Sequence, residues 1–161
     1  METLYLERTR ELKKNKKLIE KELNIKINIQ GKKVTIKGNA LNEYETQIIL
    51  DAINFGFPVK TAILLKEEDF RFVKLNIKDF TRKKNLEGVR ARLIGKHGKT
   101  KQTIEQISDC KIIINESQIG IIGSSEEIDI TITGITNLVK GSKQTNVYRY
   151  LEKNKKNKKN C

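Results

Sequence analysis

The sequence predicts an α+β protein built from two copies of one helix–strand–turn–strand–helix unit. Three observations predict it. Two segments align without a gap at an offset of 104 − 19 = 85 residues. Short apolar–polar alternations sit between helical patterns in each segment. Turn glycines recur together with the apolar positions. Ile19-Glu20 falls on Ile104-Glu105, and Lys26-Ile27-x-Ile29 on Lys111-Ile112-x-Ile114. Val34-x-Ile36-x-Gly38 falls on Ile119-x-Ile121-x-Gly123, and Gly56 on Gly141. Joint recurrence of this kind marks a duplicated supersecondary unit.

The elements follow in order. Thr3–Leu6 is a weak leading strand. Residues 9–23 are basic and read as helix. Asn24–Gln30 alternates Ile25, Ile27 and Ile29 with polar residues, as a half-buried strand does. Gly31-Lys32-Lys33 turns the chain and Val34-Thr35-Ile36 returns. Asn39 caps a helix over 40–54, with Leu41, Tyr44, Ile48, Ala52 and Ile53 near helical spacing. Gly56 and Pro58 end it.

The second copy opens with the alternating stretch Phe70–Phe80, read as its leading strand. Lys99–Ser108 is helix, and Lys111–Asn115 with Gln118–Ile122 is the hairpin. Ser125–Lys140 is rich in β-branched residues and passes for a strand by propensity alone. Helical spacing of Ile128, Ile132, Ile135 and Val139, and the repeat partner, assign it to helix. The resulting domains are 1–65 and 66–152, followed by a disordered basic tail over 153–161.

Composition limits the function. The 161 residues carry 33 Lys plus Arg against 20 Asp plus Glu, a net charge of +13. A polyanion is the natural partner of such a chain. Residues 1–80 hold 16 bases and 12 acids, and residues 81–161 hold 17 and 8, so the excess lies in the second half. Arg82, Lys83, Lys84, Arg90, Arg92, Lys96, Lys99 and Lys101 face one acid, Glu87, within residues 82–101. Lys153, Lys155, Lys156, Lys158 and Lys159 alternate with Asn in the tail, which either aids solubility or touches phosphates without specificity.

No apolar run approaches the roughly 18 residues of a membrane span, and the N-terminus has no signal-like apolar region. Cys110, Cys161 and the single His97 make neither a disulfide framework nor a zinc site. A reducing cytoplasm is the expected compartment. Glu105 and Asp109 stand four apart without a nucleophile or metal cluster beside them. GKHGKT lacks the leading glycine of a P-loop. The expectation is therefore a binding protein without cofactor or catalytic activity.

One motif carries chemistry. Leu93-Ile94-Gly95-Lys96-His97-Gly98-Lys99-Thr100-Lys101 places G-x-x-G between two short helices. Glycines allow close approach of a ligand to the backbone. The free N–H groups of the following helix favour an anion. Lys96, Lys99 and Lys101 add mobile positive charge, which suits a nucleic-acid backbone. Followed by a hairpin and a helix, this string is the pattern of the KH module, whose GXXG loop clamps four nucleotides of single strand.

The resemblance reaches further. GKHGKTKQTIE, IGIIGSSEEI and KGSKQTNVYRYLEKNKK resemble the Partner of Nob family, small-subunit ribosome-assembly factors of archaea and eukaryotes. Lys101 takes the place of the apolar residue usual three positions after the second KH glycine, and GKTKxTIE is typical of this family. The closing VYRYLE and the stretch IILDAINFGFPVKTAILL also resemble it. The resemblance implies tandem type I KH domains that bind the 3′ region of small-subunit rRNA. It implies the Nob endonuclease and the alpha subunit of initiation factor two as partners.

Two departures stand out. The offset places Gly95 and Gly98 on Arg10 and Lys13, so the first copy reads R-E-L-K where the clamp belongs and is expected to be a degenerate KH domain. His97 stands where glycine is common; it is either an exposed loop residue or a donor or stacking ring for RNA.

The expected RNA-binding set is Arg92, Ile94, Gly95, Lys96, His97, Gly98, Lys99, Thr100, Lys101, Ile112 and Ile114. Ile104, Ile107, Ile112 and Ile114 are core residues, some of which also floor a base groove. Lys13, Lys14, Lys16 and Lys17 form a solvated face or a supplementary RNA contact. Tyr148 and Tyr150 pack a C-terminal helix or stack on a base. Arg92 contacts phosphate or solvent. The competing class is a protein-interaction scaffold, in which the first copy docks a nuclease or an initiation factor and RNA contact is incidental.

Overall fold

The computed structural model describes the backbone of residues 1–159 and the side chains of residues 1–155. The chain forms two compact units, Met1–Phe72 and Val73–Cys161, so the boundary falls later than the expected 65/66.

The first unit runs β1 (Glu2–Tyr5), α1 (Arg10–Lys14), α2 (Lys16–Leu23), β2 (Lys26–Gln30), β3 (Lys33–Lys37), α3 (Ala40–Phe55) and α4 (Val59–Ala62). Its sheet has the order β1-β3-β2, with both flanking strands antiparallel to β3. The apolar set Ile27, Val34 and Ile36 is buried with Ile19 and Leu23 of α2 and Ile49, Leu50 and Ile53 of α3. The sequence pattern of 9–23 as one helix is interrupted at Asn15, whose side-chain amide donates to the Glu11 carbonyl at 2.9 Å. Side-chain competition of this kind commonly ends a helical turn.

Strand β4 (Phe70–Asn76) crosses the boundary, and the second unit continues with α5 (Glu87–Ile94), α6 (Lys99–Ser108), β5 (Lys111–Asn115), β6 (Gln118–Ser124), α7 (Ser125–Lys140) and α8 (Gln144–Lys159). Its sheet has the matching order β4-β6-β5. β4 is shorter than expected, because Ile77–Asp79 closes into a 3₁₀ turn capped by the Asn76 side chain. The core joins Ile104, Ile112, Ile119 and Ile121 to Ile128, Ile135 and Leu138 of α7 and Val147 and Leu151 of α8. Gly134 lets the two last helices touch: a Cβ there would lie 3.1 Å from Leu151 Cδ2.

The duplication extends to individual hydrogen bonds. Ile27 N–H donates to Glu20 Oε2 at 2.8 Å, and Ile112 N–H to Glu105 Oε2 at 2.9 Å. Asn39 caps α3 through Asn42 N–H, and Ser124 caps α7 through Glu127 N–H. Thr46 and Thr131 each donate back to the carbonyl four residues earlier. Asn24 and Asp109, in the left-handed conformation, end α2 and α6. Gly56 and Gly141, both with positive φ, end α3 and α7.

Leu41 and Tyr44, two of the residues at helical spacing, are 65% and 63% exposed. The inward face of α3 begins instead with Glu43, which accepts from Gly38 N–H, and Thr46, bonded to Asn42. Helix α8 extends to Lys159, over residues that the sequence reading placed in a disordered tail. Asn154 donates to the Tyr150 carbonyl at 2.8 Å, and Lys155 pairs with Asp109 at 2.6 Å, which fastens the helix where composition alone argued against order. Residues 160 and 161 of the expected tail lie outside the described residues. Cys110 is buried against Thr131, and desolvation raises its thiol pKa above the ordinary value. No helix among the described residues is long and apolar enough to cross a membrane.

Candidate nucleic-acid interface

The G-x-x-G string forms a loop with left-handed residues between α5 and α6. Gly95 has φ +78°, His97 φ +56° and Gly98 φ +73°. The two glycines have different duties. A Cβ on Gly95 would lie 2.1 Å from the Thr100 hydroxyl, so this glycine admits the buried Thr100 beneath the loop. A Cβ on Gly98 would point into open space. Its backbone therefore faces solvent unobstructed, and only its φ demands glycine. His97 bears the same left-handed backbone with a side chain, which histidine tolerates better than most residues.

No side chain caps the start of α6. Within the loop the Gly98 N–H donates to Gly95 and the Lys99 N–H to Lys96. The positive end of α6 lies next to exposed Lys96, His97 and Lys99, which together make a corner favourable to an anion.

Beside it lies a small depression lined by Leu93, Lys101, Ile104, Ile112, Ile114, Ile119 and Ile135. Its outer border is β5, the sheet edge. Because Ile112 N–H points to Glu105 rather than to β6, the alternation of an antiparallel ladder turns the backbone of Ile114 to the same free side. The arrangement sets a charged corner, a narrow aliphatic depression and the free peptide groups of a strand side by side.

The structure sorts the expected residues into several positions. Gly95, Lys96, His97, Gly98 and Lys99 form the loop. Ile94 beside it is 38% exposed. Ile112 and Ile114 line the depression, the first buried and the second partly so. Thr100 supports the loop from inside. Arg92 is committed elsewhere: its guanidinium donates to the carbonyls of Leu138 at 3.1 Å and Ser142 at 2.6 Å, closing the end of α7. Lys101 is not a freely mobile charge, since it pairs with Glu105 at 3.2 Å. Glu105 itself was absent from the expected set. The signal for it was present in the repeat, where it matches Glu20.

A sheet with this order, wrapped by helices and carrying a left-handed G-x-x-G loop at a helix start, defines an RNA-binding module of KH type. Comparison with known proteins agrees. Residues 71–156 match the family model described as eukaryotic type KH-domain (KH-domain type I). The KH domain-containing protein MJ0443 of Methanocaldococcus jannaschii is 28% identical over 145 residues, covering 86% of this chain and 64% of its own. The RNA-binding protein pno1 of Drosophila pseudoobscura is 32% identical over 79% of this chain and 57% of its own. The pre-rRNA-processing protein PNO1 of Phaeosphaeria nodorum is 31% identical over 79% and 52%. The chain thus spans between about half and two thirds of these relatives.

Among solved structures, Dim2p of Pyrococcus horikoshii superposes with a TM-score of 0.84 at 32% identity, covering 94% of this chain and 98% of that one. The a/eIF2alpha–aDim2p–rRNA complex of the same organism gives 0.85 at 32% identity, covering 97% and 94%. The chain belongs to the PNO1 family of KH-domain ribosome-assembly factors, which are RNA-binding proteins.

Proposed function

We propose that the chain binds single-stranded RNA at the 3′ region of small-subunit rRNA through its second unit, and assists maturation of that RNA. One observation carries the reading. The loop leaves Gly98 unobstructed and the α6 N-terminus uncapped, directly beside the aliphatic depression and the edge of β5. Phosphates on the corner hold the strand, and bases laid along the depression are read at their edges. In the Pyrococcus complex the related protein is crystallised with rRNA and a/eIF2alpha.

The first unit is read as a degenerate KH domain. It keeps the strand order and the Glu20–Ile27 bond, but α1 occupies residues 10–14, where the loop would be. Arg10–Lys13 thus lies in helix, and no G-x-x-G backbone is offered there. The alpha subunit of initiation factor two and the Nob endonuclease are proposed as partners, the former supported by the Pyrococcus complex and the latter by the family resemblance.

The test is anisotropy with a labelled strand copying the rRNA 3′ end and a scrambled control, at two salt concentrations. Lys96→Asp combined with His97→Asp is expected to abolish preferential binding while circular dichroism stays unchanged. Wild-type affinity in that folded variant would show that the loop is a relic and the chain a protein scaffold.

A further inference from the structure

The two helices that flank the loop are held by different means. α6 is anchored to the sheet: Ile104 is buried in the core, and Glu105 Oε2 accepts the Ile112 N–H at 2.9 Å. α5 has only 8 residues, a length that is marginal in water without packing. Val89 and Leu93 are its only buried residues. At its start the exposed Asn85 accepts the Glu87 N–H at 3.0 Å, and Arg90 adds an exposed bond to the Glu116 carbonyl at 3.3 Å. Its last turn runs straight into the loop, since the Gly95 N–H donates to the Ala91 carbonyl at 2.8 Å. Half-buried Arg92 lies in that turn and reaches the Leu138 and Ser142 carbonyls at 3.1 and 2.6 Å.

The end of α7 is closed without this arginine. The Gly141 N–H donates to the Leu138 carbonyl at 3.2 Å, and the Ser142 N–H to the Asn137 carbonyl at 3.0 Å. The bonds from Arg92 come in addition, so their main effect falls on α5. A planar guanidinium bonded to two carbonyls is held in one orientation. We propose that Arg92 is a positioning residue for RNA binding: it sets α5, and through α5 the Gly95–Gly98 loop, without touching the strand. The proposal rests on the reading of that loop as the single-stranded RNA contact. It differs from a phosphate contact, which would turn the guanidinium to the ligand. It differs also from a plain helix cap, whose loss would weaken the whole unit evenly.

The experiment compares wild type with Arg92→Met and Arg92→Lys. The measurements are circular dichroism, amide hydrogen exchange without RNA, and anisotropy with the rRNA 3′-end strand across salt concentrations. The Gly98 and Lys99 amides, bonded to Gly95 and Lys96, report on the loop, and the Ile112 amide on the sheet and α6. In Arg92→Met the two loop amides are expected to lose most of their protection while Ile112 keeps its own. Affinity should fall about tenfold, as when one molecule in ten holds a competent loop. The slope of log affinity against log salt should stay at the wild-type value. Arg92→Lys keeps one donor but not the fork, so it should recover part of both losses. It also keeps the test decisive if the methionine variant fails to fold. Protection retained at the loop amides in both variants, or lost equally at Ile112, overturns the proposal. So does a slope shallower by about 0.7 in Arg92→Met, the mark of one lost phosphate contact. Wild-type RNA binding by the Lys96→Asp/His97→Asp variant overturns the loop reading, and the role of Arg92 in RNA binding with it. The exchange data, taken without RNA, keep that failure distinct from a failure of the positioning itself.

Discussion

At the residue scale, two glycines three positions apart answer to different constraints. Gly98 needs only its left-handed backbone, which costs a residue with a Cβ about 1–2 kcal/mol. Gly95 needs that and also the space taken by Thr100. Gly98→Ala is therefore expected to fold, with a stability loss in that range by urea denaturation. Gly95→Ala should lose clearly more, since Thr100 must leave its buried place. Equal losses from the two would mean that the Thr100 contact contributes nothing. The motif was legible in the sequence, but this division of labour was not, because spacing says nothing of what lies behind a Cα. Arg92 shows the same limit. Its place one turn before the loop left phosphate and solvent both open, whereas its reach to Leu138 and Ser142, 46 and 50 residues away, depends on tertiary packing.

At the element scale, the glutamates of the repeat clip a helix to a sheet edge in both units. A hydrogen bond to a charged group contributes about 1.5–3 kcal/mol. Glu105→Ala should destabilise the second unit on that order and speed hydrogen exchange at the Ile112 amide. Glu20→Ala should do the same at Ile27. Unchanged exchange at these amides would remove the clip as an explanation of how the helices are held.

Most elements were legible because pattern and repeat agreed. Ser125–Lys140 is the informative case: β propensity argued one way, helical spacing and the repeat partner the other, and tertiary packing of Ile128, Ile135 and Val139 decided for helix. The inward face of α3 was not legible for the converse reason. Its first inward positions are polar, Glu43 and Thr46, and are retained by hydrogen bonds that no hydrophobic pattern registers. The end of α8 was hidden similarly, since its anchor is Asp109, 46 residues away.

At the scale of the whole molecule, the charge of +13 sets how binding responds to salt. If about five phosphates are neutralised, log affinity should fall with log salt at a slope of roughly −3 to −4. The slope is measured by repeating the anisotropy titration across salt concentrations. Lys96→Asp/His97→Asp should make it shallower, because an ammonium leaves the corner. A slope near zero would separate the net charge from the binding event altogether.

The left-handed run of Gly95, His97 and Gly98 has a kinetic consequence. If Thr100, buried beneath Gly95, keeps the loop in these backbone angles, the loop needs no reordering to meet a ligand. Encounter with a ligand then requires no slow ordering of the loop, which removes an entropic penalty that a flexible segment would incur at that moment. Association should accordingly be a single step whose observed rate rises linearly with strand concentration, without a plateau. Differences between good and poor strands should then show up in how long each stays bound.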